Sequence, residues 1–226
     1  MPIGFRIQPL PAKSVDGVFI EKLLEHDTTD VSDSLYQSGT MVGLAPVWGP
    51  VPRVCGRAVT VSTPIGGVFV LRMGMEMCGP GDVLVVSARG ANTFAMFGGH
   101  VSVALKNRGV LAVVVDGAVR DPEEIREGGL PVFSRGIATA AASADGPGEV
   151  NVAVACGGVV VSPGDLVLAD GHGIVVVPPD AGEELLGRLE QAKERAASWE
   201  PDVQAGQIFG LDAAKRRLLE LGCEFS

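Results

Sequence analysis

Basic residues are few in this sequence relative to acidic ones. Its 226 residues include 18 Lys and Arg against 27 Asp and Glu, which gives a formal net charge of −9 at pH 7. Because a nucleic-acid partner requires a positively charged face that neutralises phosphates, this balance argues against nucleic acid as the main partner. A small anionic ligand stays compatible with the composition if positive charge is concentrated at one site.

Paired cysteines and long apolar runs are also missing. Cys55, Cys78, Cys156 and Cys223 form no CxxC pair, so neither a zinc knuckle nor a disulfide framework is indicated. The longest uncharged stretch, residues 34–52, contains three glycines and three prolines, which is not the composition of a membrane-spanning helix. The N-terminal residues lack a basic segment followed by an apolar run, so a signal peptide is not predicted. We therefore expect a cytoplasmic protein with no membrane partner.

Short β-branched runs separated by glycine and proline are the most frequent pattern that is present. With 46% hydrophobic and 20% charged residues, the chain is expected to fold around one sizeable core. Several of the runs are continuously apolar, which is typical of strands that are covered on both faces. The predicted strands are 54–61, 83–87, 110–116, 152–155, 159–161, 166–169 and 174–177.

Four helices are predicted as well, one of them before the first strand. One runs from a cap at Ser14 to His26, one from Gly98-Gly99 to Arg108, one follows Asp180, and a short one covers 211–221. In the third helix an apolar stripe recurs at helical spacing, and it either packs on its own domain or reaches a neighbouring subunit. The stripe consists of Leu185, Leu189, Ala192, Ala196 and Trp199. We expect a mixed α/β domain over 1–179 and a helical tail over 180–226.

A glycine-rich loop, a helix, an apolar strand and a charged turn follow one another from Phe97 to Asp121. The pair Gly98-Gly99 at the helix start allows backbone N–H groups to approach a ligand, and the positive end of the helix favours a carboxylate or a phosphate there. A glycine pair is also typical of a tight turn without any ligand. His100 could line a pocket beside this loop or simply pack against it.

Arg120 and Asp121 come directly after the apolar strand, where open α/β sheets commonly place ligand-binding residues. An arginine there can hold a carboxylate and neutralise an enolate, and an aspartate can hold Mg²⁺ or Mn²⁺. From local sequence alone, Asp-Pro-Glu-Glu favours a helix N-terminus with Asp121 as its N-cap. Asp116 is either a turn former beside Gly117 or a carboxylate that orders water around a metal ion.

The stretch 98–121, above all DGAVRD at 116–121, resembles the RraA-like family. Within it, the similar branch is that of the metal-dependent 4-hydroxy-4-methyl-2-oxoglutarate / 4-carboxy-4-hydroxy-2-oxoadipate aldolases. The resemblance extends to LPVFSRG at 130–136, GGV at 157–159, SPGD at 162–165, DGHGIVVVP at 170–178 and the tail at 205–211. It therefore covers most of the chain.

This resemblance implies a β/β/α sandwich with a C-terminal helical extension, assembled as a homotrimer or homohexamer with active sites at subunit interfaces. The backbone of Gly98, Gly99, His100 and Val101 would bind the carboxylate and keto group of the substrate. Arg120 would contact the oxygen that becomes the enolate, and Asp121 would ligate Mg²⁺ or Mn²⁺. An acidic residue of a neighbouring subunit's tail would complete the site, with Glu194 as the first candidate and Glu190 as the second.

The expected function on this resemblance is metal-dependent cleavage of a 4-hydroxy-2-oxo dicarboxylic acid to pyruvate through a pyruvate enolate. Decarboxylation of oxaloacetate passes through the same enolate and is expected as well. A lysine suited to a Schiff base is not evident in the segment, since Lys106 falls in the middle of the helix. The alternative is a non-catalytic regulator of ribonuclease activity that acts by protein–protein contact, as in another branch of the family. That branch tends to lose the acid after the motif arginine, which this chain keeps as Asp121.

Overall fold

The computed structural model describes residues 3–11, 16–64, 66–143 and 145–225. Eleven strands and seven helices lie within these ranges. The strands are β1 Phe5–Ile7, β2 Ala45–Pro46, β3 Val54–Ser62, β4 Asp82–Ala95, β5 Ala112–Val119, β6 Val132–Ile137, β7 Gly148–Val150, β8 Val154–Cys156, β9 Val159–Val161, β10 Leu166–Asp170 and β11 Gly173–Val177. The helices are α1 Gly17–Leu23, α2 Thr28–Ser34, α3 Val68–Met77, α4 Gly99–Asn107, α5 Pro122–Gly128, α6 Gly182–Gln204 and α7 Leu211–Glu220.

Four parallel strands, β3 to β6, form the centre of a nine-stranded sheet. The order across the sheet is β1-β7-β3-β4-β5-β6-β2, and β10 with β11 extends it as an antiparallel pair beside β3. The strands β8 and β9 form a separate hairpin. Because parallel strands share their direction, the residues that follow β4 and β5 emerge at the same edge of the sheet.

The central strands are covered on both faces. On one face, side chains of β3, β4 and β5 pack with α3, α4 and α5 in a single apolar cluster. On the other face, the alternate side chains of the same strands pack with β8, β9, β10 and β11. This double coverage accounts for the continuously apolar runs, because both faces of each strand must be hydrophobic. The expected mixed α/β sandwich is confirmed.

A third cluster joins the outer face of β10 and β11 to α1, α2 and the first turns of α6. Leu185 and Leu189 of α6 are fully buried there. Beyond them the chain leaves the body, and every described residue from 193 to 225 is exposed. The apolar stripe of the tail therefore divides into two parts. Its first part packs on its own domain, whereas Ala196 and Trp199 lie on an exposed arm, which we define as residues 193–225.

The predicted strands are present, with shifts at their ends. The run 159–161 is strand β9 at the same residues. Strand β5 begins two residues later than predicted and continues beyond Asp116 to Val119. The run predicted at 152–155 does not lie in the main sheet, because Val154–Cys156 pairs with β9 and the neighbouring β7 pairs with β1 and β3. Sequence periodicity cannot distinguish the two sheets, since both present the same apolar pattern.

The helix predicted from Ser14 to His26 is shorter in the structure. Ser14 lies outside the described residues, and α1 runs from Gly17 to Leu23 with Asp16 as its N-cap, whose carboxylate accepts a hydrogen bond from Val18 N at 3.0 Å. The helices α2 and α3 were not predicted. α3 has a nearly continuous apolar sequence, which reads equally well as a buried strand. None of the described helices is long and apolar enough to cross a membrane.

Candidate active site at the start of α4

The charged turn after β5 and the glycine loop before α4 meet at the edge of the sheet. Arg120 N donates a hydrogen bond to Phe97 O at 3.0 Å, which fixes the two segments side by side. α4 begins at Gly99 with Gly98 as its N-cap. The sequence-predicted residues Arg120 and Asp121 therefore lie against the N-terminus of α4.

Asp121 occupies the N-cap position of α5, yet its side chain makes no capping hydrogen bond. Its backbone adopts the left-handed conformation, with φ 55° and ψ 52°, which is costly for most residues other than glycine and is adopted more readily by Asp and Asn. In this conformation the carboxylate turns towards α4, where Oδ2 accepts a hydrogen bond from Gly99 N at 3.3 Å and lies 3.4 Å from Arg120 Nε. The capping role that local sequence favoured for this carboxylate is therefore wrong.

Both positions at the start of α4 require glycine, because other side chains come very close to the backbone there. A Cβ atom at Gly98 would overlap Asp121 Oδ2 and lie 2.9 Å from Arg120 Cγ. A Cβ atom at Gly99 would overlap Glu124 Oε2 and also Glu124 Cβ, which is fixed to the backbone of α5. Gly98 has φ −142°, so at this position the missing side chain, and not a glycine-specific conformation, allows the turn and α4 to touch.

The first turn of α4 presents backbone N–H groups, because the first four in any helix have no intrahelical acceptor. These include the N–H groups of Gly99, His100 and Val101, the positions predicted to bind a substrate carboxylate. The side chain of His100 is 97% exposed and its Nδ1 lies 3.6 Å from Glu124 Oε2. It borders an open cavity of about 490 Å³ together with Gly99, Val103, Glu124, Glu127 and Gly128.

Asp116 lies on the other face of the sheet. Its Oδ2 accepts a hydrogen bond from Gly157 N at 3.0 Å, and its Oδ1 accepts a short one from Arg135 Nε. This bond to Asp116 is the main reason why the pKa of Arg135 is raised. The structure thus joins Asp116 to the turn between β8 and β9 and does not bring it beside Asp121.

Glu194 and Glu190 lie on exposed positions of α6. Within one chain, α6 packs with α1, α2 and the outer face of β10 and β11, on the layer opposite to α4 and α5. The structure therefore does not bring either glutamate to Asp121 of its own chain. A role for them at this site needs a second subunit.

A divalent cation at Asp121 requires oxygen ligands and space for its waters. Among the described residues, Gly99 N is the group that donates a hydrogen bond to this carboxylate, through Oδ2, which leaves Oδ1 available. No group of three His, Cys, Asp or Glu side chains suited to a metal occurs in the described part of the chain. One or two carboxylates with open space suit Mg²⁺ or Mn²⁺, which retain several waters, and do not suit a closed zinc site.

Two residues that contact the predicted site residues have no signal of their own in the sequence. Glu124 was visible only as an acid in the first turn of a helix, and its approach to Gly99 depends on how α4 and α5 pack. Arg135 stands within the stretch that resembles the RraA-like family, but no local signal connects it with Asp116, which lies on the neighbouring strand.

The fold and the site define a class of protein: a β/β/α sandwich that places a helix N-terminus, an arginine and an available carboxylate together at one sheet edge. The chain belongs to the RraA-like family, whose model, described as Aldolase/RraA, matches residues 28–176.

Similar proteins carry two kinds of name. A protein of Halalkalibacterium halodurans with the provisional name 4-hydroxy-4-methyl-2-oxoglutarate aldolase is 34% identical over 80% of this chain and 89% of its own. The 4-hydroxy-4-methyl-2-oxoglutarate aldolase of Thermus thermophilus is 34% identical over 70% of this chain and 97% of its own. The solved structure of Streptomyces coelicolor RraAS2, described as an unusual member of the RNase ES inhibitor RraA family, has a TM-score of 0.73 at 29% identity and covers 86% of this chain and 99% of its own.

Proposed function

We propose that this protein is a divalent-metal-dependent aldolase that cleaves a 4-hydroxy-2-oxo dicarboxylic acid, such as 4-hydroxy-4-methyl-2-oxoglutarate, to pyruvate. The observation that carries the proposal is the carboxylate of Asp121, which turns away from its own helix and lies with Arg120 at the N-terminus of α4. The names of the two aldolase relatives support the same reaction.

Different residues of this chain would bind the substrate carboxylate, the 2-keto oxygen and the metal ion. The N–H groups of Gly99, His100 and Val101 would bind the substrate carboxylate, aided by the positive end of the helix, with Gly99 N exchanging its hydrogen bond to Asp121 Oδ2 for one to the substrate. Arg120, permanently charged and with its side chain 45% exposed, would contact the 2-keto oxygen. Asp121 would hold Mg²⁺ or Mn²⁺, and the ion would supply a second positive charge near that oxygen.

The reaction would proceed through a pyruvate enolate. Water in the site takes the proton of the C4 hydroxyl, the C3–C4 bond breaks, and C4 leaves as a ketone. The electron pair of the broken bond moves to C3 and the 2-keto oxygen, and protonation of C3 then gives pyruvate. Arg120 stabilises the oxygen where the negative charge develops, which is the principal contribution of such preorganised groups. Oxaloacetate would give the same enolate by loss of carbon dioxide, so we propose decarboxylase activity as well.

A homotrimer or homohexamer with sites at subunit interfaces is part of this proposal. It is supported by the exposed arm, which carries large apolar side chains that are exposed to solvent. Glu194, at the start of the arm, would reach a neighbouring subunit's site. A cytoplasmic location is proposed with it, on the support of four cysteines that are free in the structure.

The test is pyruvate release from 4-hydroxy-4-methyl-2-oxoglutarate and from oxaloacetate, coupled to lactate dehydrogenase, with Mg²⁺, with Mn²⁺ and with EDTA. We expect turnover that EDTA abolishes and that falls by about 100-fold or more in Asp121→Asn and Arg120→Gln, because each removes a charge that acts on the enolate. Asn tolerates the left-handed conformation of residue 121, so the fold should persist. Asp16→Asn, which alters a true helix cap far from the site, is the matched control and should keep its turnover.

Regulation of a ribonuclease by protein contact is the second candidate, favoured by the similarity to Streptomyces coelicolor RraAS2. A folded, metal-supplied protein that turns over neither substrate would contradict the aldolase proposal. Inhibition of a ribonuclease by the wild type and equally by Asp121→Asn would then support the regulator, since contact at a protein surface does not need the enolate site.

A further inference from the structure

Glu124 and Gly99 are in closer contact than any other residue type at position 99 would permit. A Cβ atom at Gly99 would lie 2.9 Å from Glu124 Cδ and would overlap Oε2 and Cβ of the same side chain. The Glu124 carboxylate therefore occupies the place where a side chain at position 99 would begin. Gly99 is buried at the first position of α4, so this carboxylate lies against the start of the helix.

The Asp121 carboxylate also lies against Gly99. Asp121 Oδ2 lies 3.3 Å from Gly99 N, and Glu124 Oε2 lies against the Cβ position of that residue. Standard backbone dimensions then bring the two carboxylates within about 8 Å of each other. A hydrated divalent cation spans this distance, because Mg²⁺ and Mn²⁺ bind one or two carboxylates and contact others through their waters.

The dipole of α5 explains the position of Glu124 less well than that of Glu123. Acids in the first turn of a helix are favoured by its dipole, and α5 has two of them, Glu123 and Glu124. Any first-turn acid satisfies the dipole, but the contact with Gly99 belongs to Glu124. Placing it there brings two negative groups close together. His100 Nδ1, 3.6 Å from Glu124 Oε2, and Arg120 Nε, 3.4 Å from Asp121 Oδ2, offset part of their repulsion, and a cation between the two carboxylates would offset more of it.

We propose that Glu124 is the second carboxylate of the cation site at Asp121, and that Gly99 is the residue that makes room for it. This inference rests on the cation site of the proposed function. In this role Glu124 helps to hold the ion and its waters in place. Its contact with Gly99 exists because α5 packs on α4.

The test is the binding of Mn²⁺ alone to the full-length protein, without substrate, followed by titration calorimetry and by the electron paramagnetic resonance signal of free Mn²⁺. Glu124→Gln should weaken Mn²⁺ binding by about tenfold or more, the effect of losing an outer carboxylate of a metal site. Glu123→Gln removes the same charge from the same helical turn, and it should change the affinity by less than about twofold. Asp121→Asn should abolish binding. Circular dichroism of each variant checks that it is folded.

The outcomes separate this inference from the proposed function. Equal affinities in Glu124→Gln and Glu123→Gln would overturn the role of Glu124 while leaving the Asp121 site intact. A wild-type protein that does not bind Mn²⁺ would overturn both. Mn²⁺ binding that depends on Glu124, in a protein that releases no pyruvate from either substrate, would support the second carboxylate and contradict the aldolase.

Discussion

At the scale of single residues, Gly98 and Gly99 let two elements touch. The overlap at Gly99 involves Glu124 Cβ, which no rotamer change can move. Both glycines of α6 differ in this respect, because the space around them is open; a Cβ atom at Gly187 would meet nothing within 4 Å. The same residue type therefore has opposite consequences at the two positions.

Gly99→Ala should lower the free energy of unfolding by about 1–3 kcal/mol, the usual cost of overpacking. Gly187→Ala is the matched control and should raise it by about 0.5–1 kcal/mol, because alanine is favoured over glycine inside a helix. Urea unfolding followed by circular dichroism measures both. A stabilised Gly99→Ala would mean that α4 and α5 separate without cost.

At the scale of elements, α2 depends on a carboxylate that is remote in the sequence. Its own N-cap residue, Asp27, makes no capping hydrogen bond. Asp170, at the end of β10, instead accepts hydrogen bonds from Thr28 N at 3.0 Å and from Thr28 Oγ1 at 2.6 Å. It also accepts one from His172 N at 2.9 Å, which ties α2 and the β10–β11 turn together.

These hydrogen bonds make the contribution of Asp170 to the free energy of unfolding dependent on pH. Burial alone would raise the pKa of Asp170, but the hydrogen bonds from Thr28, His172 and Arg53 outweigh it, and the net pKa lies below the ordinary value of 3.8. A carboxylate whose pKa is lowered by folding stabilises the protein at pH values above 3.8. This stabilisation is lost as the pH falls towards the pKa of the folded state.

Asp170→Asn should therefore lower the free energy of unfolding by about 1–3 kcal/mol at pH 7, and the difference from the wild type should shrink below pH 3.8. Unfolding in urea at a series of pH values measures it. Asp33→Asn, on an exposed position of α2, should change stability by less than about 0.5 kcal/mol. A difference between Asp170→Asn and the wild type that stays constant down to pH 2 would contradict the role of the charged carboxylate.

At the scale of the whole molecule, the exposed arm is the part of the described chain that one subunit does not bury. Trp199 stacks on Phe209 with ring centroids 5.1 Å apart, so the arm folds back on itself. Leu218, Leu219 and Leu221 remain exposed on or just after α7. A concentration of apolar side chains of this kind marks a surface that another molecule covers, and a second copy of this chain is the occupant that fits the proposed oligomer.

Leu219→Lys should shift the mass measured by light scattering after size exclusion towards that of the monomer, because it places a charge in an apolar contact. Lys215→Gln, an exposed polar substitution on the same helix, is the control and should leave the mass unchanged. A wild-type protein that is monomeric at micromolar concentration would contradict the oligomer and, with it, the role proposed for Glu194.

The sequence by itself determined the layered α/β fold, because strands that are buried on both faces must be continuously apolar and can be recognised as such. It also determined the placing of the Gly98-Gly99 loop and the Arg120-Asp121 turn, since both are local patterns at the ends of elements. The direction of each carboxylate was decided by the tertiary structure alone. Asp121 turns to α4, Asp116 to Arg135 and Asp170 to α2 because each contact joins segments whose separation in the sequence leaves no periodic or local signal.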